Sequence, residues 1–374
     1  MKIARDVKFK TMGLALVAGL MLAGCSSTGT QSPTPSSGTV EGDDALAYES
    51  LPFADVLPLS EDALAGHEKV TIGFSNTCYN VPWRVAQRES VEAEVARHEN
   101  LELIAVDGQC DNAKQTNSVQ DLITRGVDAI ILSPLESQAL VSAADLVRAA
   151  DIPLIVLDRD VYTEKDVFIG QSNESTAYEL GKQLVADLNG EGNLAIITGS
   201  SGASVSIDRQ AGLKRALDEA PGIKIVAEGD GEWLPGPSQK LMQDWLVRLG
   251  ADGIDAVWTD AEDQAWATLP AIKAANACDP KIKQYTIDGS RPALEDVQNG
   301  SFTGVGAYTP LTGDVAVRAA IKLILGEEIT GAKDYDQPGL WLQLPDLPIA
   351  TAENVDDLLP SAWGSFESPE DPCA

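Results

Sequence analysis

Positively charged residues are scarce in this sequence. Its 374 residues include 27 lysines and arginines against 57 aspartates and glutamates, which gives a formal net charge of −30 at pH 7. Nucleic-acid binding depends on clustered Lys and Arg that neutralise phosphates, so this composition excludes nucleic acid as a partner. Only two histidines are present, His67 and His98, which argues against histidine-rich metal sites and against catalysis by several histidines.

Motifs of common enzymes and cofactor-binding proteins are absent as well. The chain has no GxSxG nucleophile motif, no GxxxxGK[ST] phosphate-binding loop, no GxGxxG dinucleotide motif and no EF-hand loop. It also has no CxxC pair, a spacing typical of zinc sites. We therefore expect no cofactor, no bound metal and no enzyme activity.

Long apolar runs are missing, apart from one near the N-terminus. Four basic residues precede an apolar run over residues 12–23, which is too short for a comfortable membrane span. The Leu-Ala-Gly-Cys sequence that ends at Cys25 resembles the bacterial lipoprotein signal. We expect removal of residues 1–24 and lipidation of Cys25, the alternative being an ordinary secretory signal that contains a cysteine. Residues 25–66 are then an extracytoplasmic tether to the outer or periplasmic face of a membrane.

The four other cysteines are Cys78, Cys110, Cys278 and Cys373. An even number in an oxidising compartment indicates disulfides, and four cysteines allow three connectivities. Cys78 and Cys110 follow the first two predicted strands, which should be neighbours in a parallel sheet. Cys278 ends a predicted helix and Cys373 lies in the terminal tail. We therefore favour the pairs Cys78–Cys110 and Cys278–Cys373.

From residue 69 onward, short β-rich runs alternate with helical patterns in two successive series. Apolar strands separated by helices predict parallel sheets with helices on both faces. The sequence therefore predicts an α/β fold of two doubly wound parallel-sheet lobes. Ligands of such folds bind beyond the carboxyl ends of the strands, so candidate binding residues are sought in the loops that follow strands.

In the first series, polar and aromatic residues follow three of the predicted strands. They are Thr77, Trp83 and Arg84 after the first strand, Ser133 after the third, and Asp158 and Arg159 after the fourth. An indole offers an apolar face to a sugar ring, and a carboxylate beside a guanidinium binds adjacent hydroxyls. The alternatives are an indole that packs on the core and an Asp-Arg ion pair on the surface.

In the second series, the candidates also follow strands or begin helices. They are Arg209, Trp233, Glu262 and Asp288. Trp233 would supply a second stacking surface opposite Trp83, and the carboxylates would accept hydrogen bonds from hydroxyls. The alternative is that these acids are solvated surface groups of a strongly acidic protein.

Over residues 69–344, these features together resemble the periplasmic sugar-binding proteins of the ribose-binding type, the solute receptors of ABC importers, and most of all their galactofuranose-binding branch. The stretches that carry the resemblance are residues 83–84, 106–109, 126–130, 202–209, 212, 287–289 and 308–310. The resemblance implies that Trp83 and Trp233 sandwich a sugar ring. It also implies a set of residues that bind the hydroxyls, namely Arg84, Asp158, Arg159, Arg209 and Asp288.

Two positions depart from the family pattern. Ala261 stands where the family usually has Asn, so hydroxyl pairing there differs or is carried by Glu262 or water. Tyr308 stands where Gln or Leu is common. Both departures bear on which sugar is bound more than on the role of the protein.

The resemblance further implies the type I periplasmic binding protein architecture. Its hinge would consist of three crossovers near residues 171–173, 308–309 and 339–343. The first lobe would comprise residues 67–171 and 309–340. The second lobe would comprise residues 172–308 and 341–374, the last of these ending in an acidic tail that packs along that lobe.

The expected function is capture of one monosaccharide, a pentose or a hexose in pyranose or furanose form, and its delivery to a membrane permease and, through it, an ATPase. The alternative is a receptor of the same fold that feeds a sensor or chemotaxis pathway. A secreted glycosidase would need a carboxylic acid with a raised pKa. The candidate acids lie beside arginines, which favour ionised carboxylates, so catalysis is not expected.

Overall fold

In a computed structural model of the protein, the described residues are Phe53, 55–278, 281–364 and 366–373. The predicted signal peptide, the predicted lipidation site Cys25 and most of the predicted tether lie outside them. The predicted end of the tether at residue 66 is corrected, because Leu57 and Leu64 are buried in the core and the carbonyl oxygen of Leu64 accepts from Asn100 of the first lobe. The strands are β1 (Val70–Asn76), β2 (Leu101–Asp107), β3 (Ala129–Leu132), β4 (Leu154–Leu157), β5 (Val167–Gly170), β6 (Glu191–Thr198), β7 (Gly222–Asp230), β8 (Ala256–Thr259), β9 (Lys283–Asp288), β10 (Gly304–Ala307), β11 (Lys333–Asp334), β12 (Leu340–Gln343) and β13 (Ile349–Ala350).

Helices connect most of these strands. They are α1 (Pro82–Val95), α2 (Asn112–Arg125), α3 (Val141–Ala149), α4 (Asn173–Asp187), α5 (Ser204–Asp218), α6 (Pro235–Leu249), α7 (Glu262–Ala274), α8 (Arg291–Gln298), α9 (Gly313–Ile324) and α10 (Val355–Leu358). Short 3-10 helices lie at Glu61–Leu64, Ala251–Gly253 and Leu359–Ser361. None of the helices in the described part of the chain has both the length and the apolar character needed to cross a bilayer.

The described strands form two sheets. The order in the first sheet is β11-β12-β5-β4-β3-β1-β2, and in the second it is β13-β10-β9-β8-β6-β7. Neighbouring strands run parallel except for the pairs β11–β12 and β10–β13. The predicted pair of doubly wound lobes is therefore confirmed.

Helices cover both faces of the first sheet. Ile131 in β3 packs in one apolar cluster with residues of α1 and α9, whereas its neighbour Ile130 packs in another with residues of α2 and α3. Successive residues of a strand point to opposite faces, so a strand covered on both sides is apolar at every position. This explains why β3 and β4 are buried throughout.

The described chain passes between the lobes three times. The first crossing follows Gly170 at the end of β5, and the second follows Ala307 at the end of β10. The third lies between β12 and β13, because β12 pairs in parallel with β5 of the first sheet. This corrects one expected boundary, since residues 341–343 belong to the first lobe and not to the second.

Both favoured disulfides are present, Cys78–Cys110 and Cys278–Cys373. The first joins the loops that follow β1 and β2. The second attaches the terminal tail to the loop after α7. The tail packs on the second lobe through Trp363, which is 2% exposed and donates its Nε1–H to the carbonyl oxygen of Asp288 at 3.3 Å.

Candidate functional site

Three strand-end residues at the cleft between the lobes have a positive φ angle. Asp158 follows β4 with φ 69°, Trp233 follows β7 with φ 62°, and Asp288 ends β9 with φ 132°. A positive φ is uncommon outside glycine, and for a bulky residue such as Trp it is an outlier. Such strained conformations cluster at functional sites, and all three residues line one cavity.

With the lobes closed, this inner cavity has a free volume of only about 50 Å³, so its walls lie close together. Eight of the residues predicted from the sequence line it. They are Trp83, Arg84, Asp158, Arg159, Arg209, Trp233, Asp288 and Tyr308. These residues come from both lobes and one crossover. A change in the angle between the lobes would therefore move the lining residues of one lobe away from those of the other.

Aromatic rings form two walls of the inner cavity. Trp83, at the start of α1, lies nearly parallel to Tyr308, with ring centroids 6.0 Å apart and planes inclined by 13°. Trp233 lies against Gly199, where any side chain would collide with the indole. Among the described residues, neither Nε1 of Trp83 nor that of Trp233 has a hydrogen-bond partner, although both atoms are buried. The guanidinium of Arg84 lies 4.5 Å from the centroid of the Trp83 ring, and arginines also lie over the Trp233 ring, so guanidinium groups cover part of both indole faces.

A buried network surrounds Asp158. Nη1 of Arg84 donates to Oδ2 of Asp158 at 2.8 Å, and the hydroxyl of Tyr308 donates to Oδ1 at 2.7 Å. The same Nη1 also lies 3.1 Å from Oγ of Ser133 and 3.1 Å from Oε1 of Gln87. These contacts hold the guanidinium and the carboxylate in one orientation, with their charges balanced.

Arg209 organises the opposite side of the cavity. Its Nε donates to Oδ1 of Asn173 at 2.9 Å, and its Nη2 lies 3.5 Å from Oδ1 of Asp288. The guanidinium also donates to the carbonyl oxygen of Asp260. Asn173 in turn donates to the hydroxyl of Tyr308 at 3.3 Å. Arg209 is thereby connected through Asn173 to the Tyr308 crossover.

Burial perturbs the ionisable groups of the inner cavity. Burial, followed by the positive charge of Arg84, lowers the pKa of Arg159 to about 9. Burial raises the pKa of Asp288 to about 8, against the opposing effect of Arg209, and burial raises the pKa of Asp263 to about 6. The expectation that a neighbouring arginine keeps each candidate acid ionised is therefore wrong for Asp288, because burial outweighs the charge of Arg209. Because burial penalises the charged form of each group, the cavity suits a neutral ligand that donates and accepts hydrogen bonds.

Two predicted site residues of the first lobe lie outside the inner cavity. Thr77 is buried after β1 and borders a neighbouring compartment of the cleft. Ser133 is fully buried and accepts a hydrogen bond from Arg84. Ser133 therefore acts on the cavity through the position of Arg84.

Glu262 also lies outside the inner cavity, and its neighbours Ala261 and Asp263 line it. Its Oε2 accepts a hydrogen bond from the backbone N–H of Ser290 at 3.0 Å. Glu262 begins α7, and successive residues of a helix point in directions about 100° apart. Glu262, the first residue of α7, therefore points toward Ser290, whereas Asp263, the second residue, faces the cavity. The sequence analysis did not predict this difference.

Asn173 and Val205 were also missed from the sequence. Asn173 begins α4 and binds Arg209, and Val205, near the start of α5, lines the inner cavity. Both lie in the first turn of a helix that follows a strand. That position was a usable signal, because the starts of such helices border the carboxyl edge of the sheet.

The two lobes also touch directly beside the cavity. Oγ of Ser204 accepts a hydrogen bond from the backbone N–H of Asp160 at 2.8 Å, and the N–H of Ser204 donates to Oγ of Ser137 at 3.1 Å. The N–H of Ser137 donates to the carbonyl oxygen of Gly202 at 3.0 Å. These bonds join the first and second lobes, so the structure has a closed cleft.

Known proteins share this architecture. Residues 72–328 match the family model described as a periplasmic binding protein domain. The chain is 28% identical over 268 residues to the ribose import binding protein RbsB of Bacillus subtilis (strain 168), covering 71% of this chain and 85% of that protein. It is 27% identical over 301 residues to the galactofuranose-binding protein YtfQ of Escherichia coli (strain K12), covering 78% of this chain and 90% of that protein.

A solved structure agrees with these sequence matches. An ABC transporter solute binding protein from Bacillus halodurans C-125, with bound myo-inositol, has a TM-score of 0.69 and 26% sequence identity. The match covers 79% of this chain and 98% of that one. The resemblance inferred from the sequence is confirmed, and the chain belongs to the periplasmic binding protein family.

Proposed function

We propose that this protein captures a sugar by closing its two lobes around one sugar ring in the inner cavity. The observation that carries the proposal is the set of unused donors there. Nε1 of Trp83, Nε1 of Trp233 and Nε of Arg159 are buried and have no hydrogen-bond partner among the described residues. Buried donors almost always have a hydrogen-bond partner, so the oxygen atoms of a ligand would accept hydrogen bonds from these three groups.

The rest of the cavity suits a polyhydroxylated ring. The indoles accommodate the C–H side of a sugar. The ion pair Arg84–Asp158, and the guanidinium of Arg209 beside the carboxyl group of Asp288, offer donors and acceptors to its hydroxyls. The names of the relatives support the same ligand class, since they include ribose and galactofuranose, and the solved neighbour holds myo-inositol. We therefore assign pentoses, hexoses in either ring form, and related polyols as candidate ligands.

Delivery to an ABC importer completes the proposal. Hinged closure presents a different surface in the ligand-bound state, which a permease with its ATPase would recognise. The relatives described as import binding proteins support this role. Lipidation at Cys25 would keep the protein on the extracytoplasmic side of the membrane, close to the permease, and the residues that follow would act as a flexible tether.

Thermal unfolding in the presence of single sugars tests the proposal. A ligand present at 100 times its Kd adds about 2.7 kcal/mol of stability, which corresponds to a rise in Tm of a few degrees. We expect at least one pentose, hexose or cyclic polyol to produce that rise. The Arg209→Ala variant should lose it, whereas Lys214→Ala, on the exposed side of the same helix, should keep it. The proposal fails if no sugar raises Tm.

A further inference from the structure

A second compartment of the cleft adjoins the inner cavity, and we call it the outer compartment. Its free volume is about 440 Å³, against about 50 Å³ for the inner cavity. The two spaces share Val81, Arg84, Arg159 and Trp233 as lining residues. They are therefore adjacent, with the side chains of Arg159 and Trp233 at their border.

The lining of the outer compartment is as mixed in character as that of the inner one. The Cys78–Cys110 disulfide and Leu234 supply apolar surface, while Ser200 and Asp230 supply polar groups. Asp230 is held in place, since its Oδ2 accepts from the N–H of Ser201 at 3.1 Å. Apolar surface beside oriented acceptors is the combination that sugar rings require.

Arg159 supplies an unused donor at the border. The residue is 5% exposed, and its Nη1 donates to the carbonyl oxygen of Leu135, another lining residue of the outer compartment, at 2.9 Å. Its Nε is buried, has no hydrogen-bond partner among the described residues, and lies 3.9 Å from Oδ2 of Asp158. An oxygen atom that joins two rings would be placed to accept from it.

We propose that the preferred ligand is a disaccharide, with one ring in the inner cavity and the second ring in the outer compartment. This inference rests on the proposed function, which by itself requires only the inner ring. The second ring packs against the Cys78–Cys110 disulfide and Leu234, and its hydroxyls donate to Asp230. The linkage passes between Val81 and Trp233, beside Nε of Arg159.

Calorimetric titration of the purified protein with matched sugars tests this inference. The pairs are L-arabinose with α-1,5-arabinobiose, D-galactose with β-1,6-galactobiose, D-xylose with xylobiose, and D-glucose with isomaltose. We expect one disaccharide to bind about tenfold or more tightly than its monosaccharide, which equals about 1.4 kcal/mol. If every monosaccharide that binds does so at least as tightly as its disaccharide, the inference is overturned and the proposed function stands. If none of the eight sugars binds, the inference is overturned, and the proposed function is decided by the thermal unfolding test with the wider set of pentoses, hexoses and cyclic polyols.

A blocked outer compartment gives the second arm of the test. Ser200→Trp fills the compartment from the second lobe, and Asn80→Trp fills it from the first lobe should Ser200→Trp fail to fold. Each should remove the tenfold advantage of the disaccharide and leave the Kd of the monosaccharide within about threefold. Ser142→Trp, on the exposed surface of α3, is the matched control and should leave both affinities unchanged. Equal losses for both sugars would overturn the inference.

Discussion

Arg84 and Asp158 form an ion pair at the centre of the cleft, with Nη1 of Arg84 2.8 Å from Oδ2 of Asp158 and the two side chains only 7% and 4% exposed. The second carboxylate oxygen accepts from the hydroxyl of Tyr308, which lies on a crossover between the lobes. The pair connects the first lobe to the hinge. The charges largely cancel, so the ligand meets a polar but nearly neutral surface.

Removing Asp158 should strongly weaken sugar binding. Asp158→Ala leaves the buried guanidinium of Arg84 without its partner, and truncation of one member of a buried charge pair at a binding site costs about 2–5 kcal/mol. We expect a loss of affinity of about 30-fold or more, measured by calorimetric titration. Asp121→Ala, which removes an exposed acid paired with Arg125, should bind normally. Unchanged affinity in Asp158→Ala would contradict the assignment of the site.

Sugar binding should change the fluorescence of Trp83 and Trp233. A sugar that contacts both indoles alters the polarity around rings whose N–H groups have no partner among the described residues. We expect the change in emission to shrink in Trp83→Phe and in Trp233→Phe. It should be retained in Trp341→Phe, because Trp341 lies in β12 and packs against Phe168 instead of lining the inner cavity. A silent spectrum with measured binding would count against stacking.

The stability of the ligand-free protein should fall as the pH rises toward 8. Burial raises the pKa of Asp288 to about 8, so from acidic pH up to that value the folded state holds a proton that the unfolded state has released. The free energy of unfolding then decreases with pH across this window.

Asp288→Asn isolates the contribution of this carboxyl, since an amide does not titrate. We expect the plot of unfolding free energy against pH to be less steep between pH 5 and about 8 than in the unmodified protein, as measured by urea denaturation. The slope is not abolished, because burial also raises the pKa of Asp314 to about 7. Asp218→Asn, at an exposed position paired with Lys214, controls for the loss of one negative charge. An unchanged slope in Asp288→Asn would refute this explanation.

The direct bonds between the lobes should stabilise the closed state. Ser204→Ala removes the hydroxyl that accepts from the N–H of Asp160, and one such bond contributes about 0.5–1.5 kcal/mol. We expect sugar affinity to fall by about two- to tenfold, with a larger radius of gyration in small-angle scattering at subsaturating ligand. Ser142→Ala, on the exposed surface of α3, should change neither measurement. A radius of gyration that does not differ from the unmodified protein would argue against this role.

The two-lobe architecture and eight of the residues that line the inner cavity could be predicted from the sequence. Strands such as β3 and β4 are apolar at every position because helices cover both faces, and this pattern can be recognised without coordinates. Parallel strands bring their carboxyl ends to one edge, so residues at the ends of strands were expected at the cleft. Asp158 and Arg159, which follow β4, and Asp288, which ends β9, do line the inner cavity, whereas Thr77 and Ser133 do not.

The directions of individual side chains and the pairing of strands far apart in the chain could not be predicted from the sequence. Glu262 and Asp263 are adjacent acids in the sequence, and the rotation of about 100° per helical residue sends one to Ser290 and the other to the cavity. The pairing of β12 with β5 joins residues about 170 positions apart, and such a contact leaves no local pattern. The outer compartment likewise exists only because folding brings Asp230 of the second lobe opposite the Cys78–Cys110 disulfide of the first.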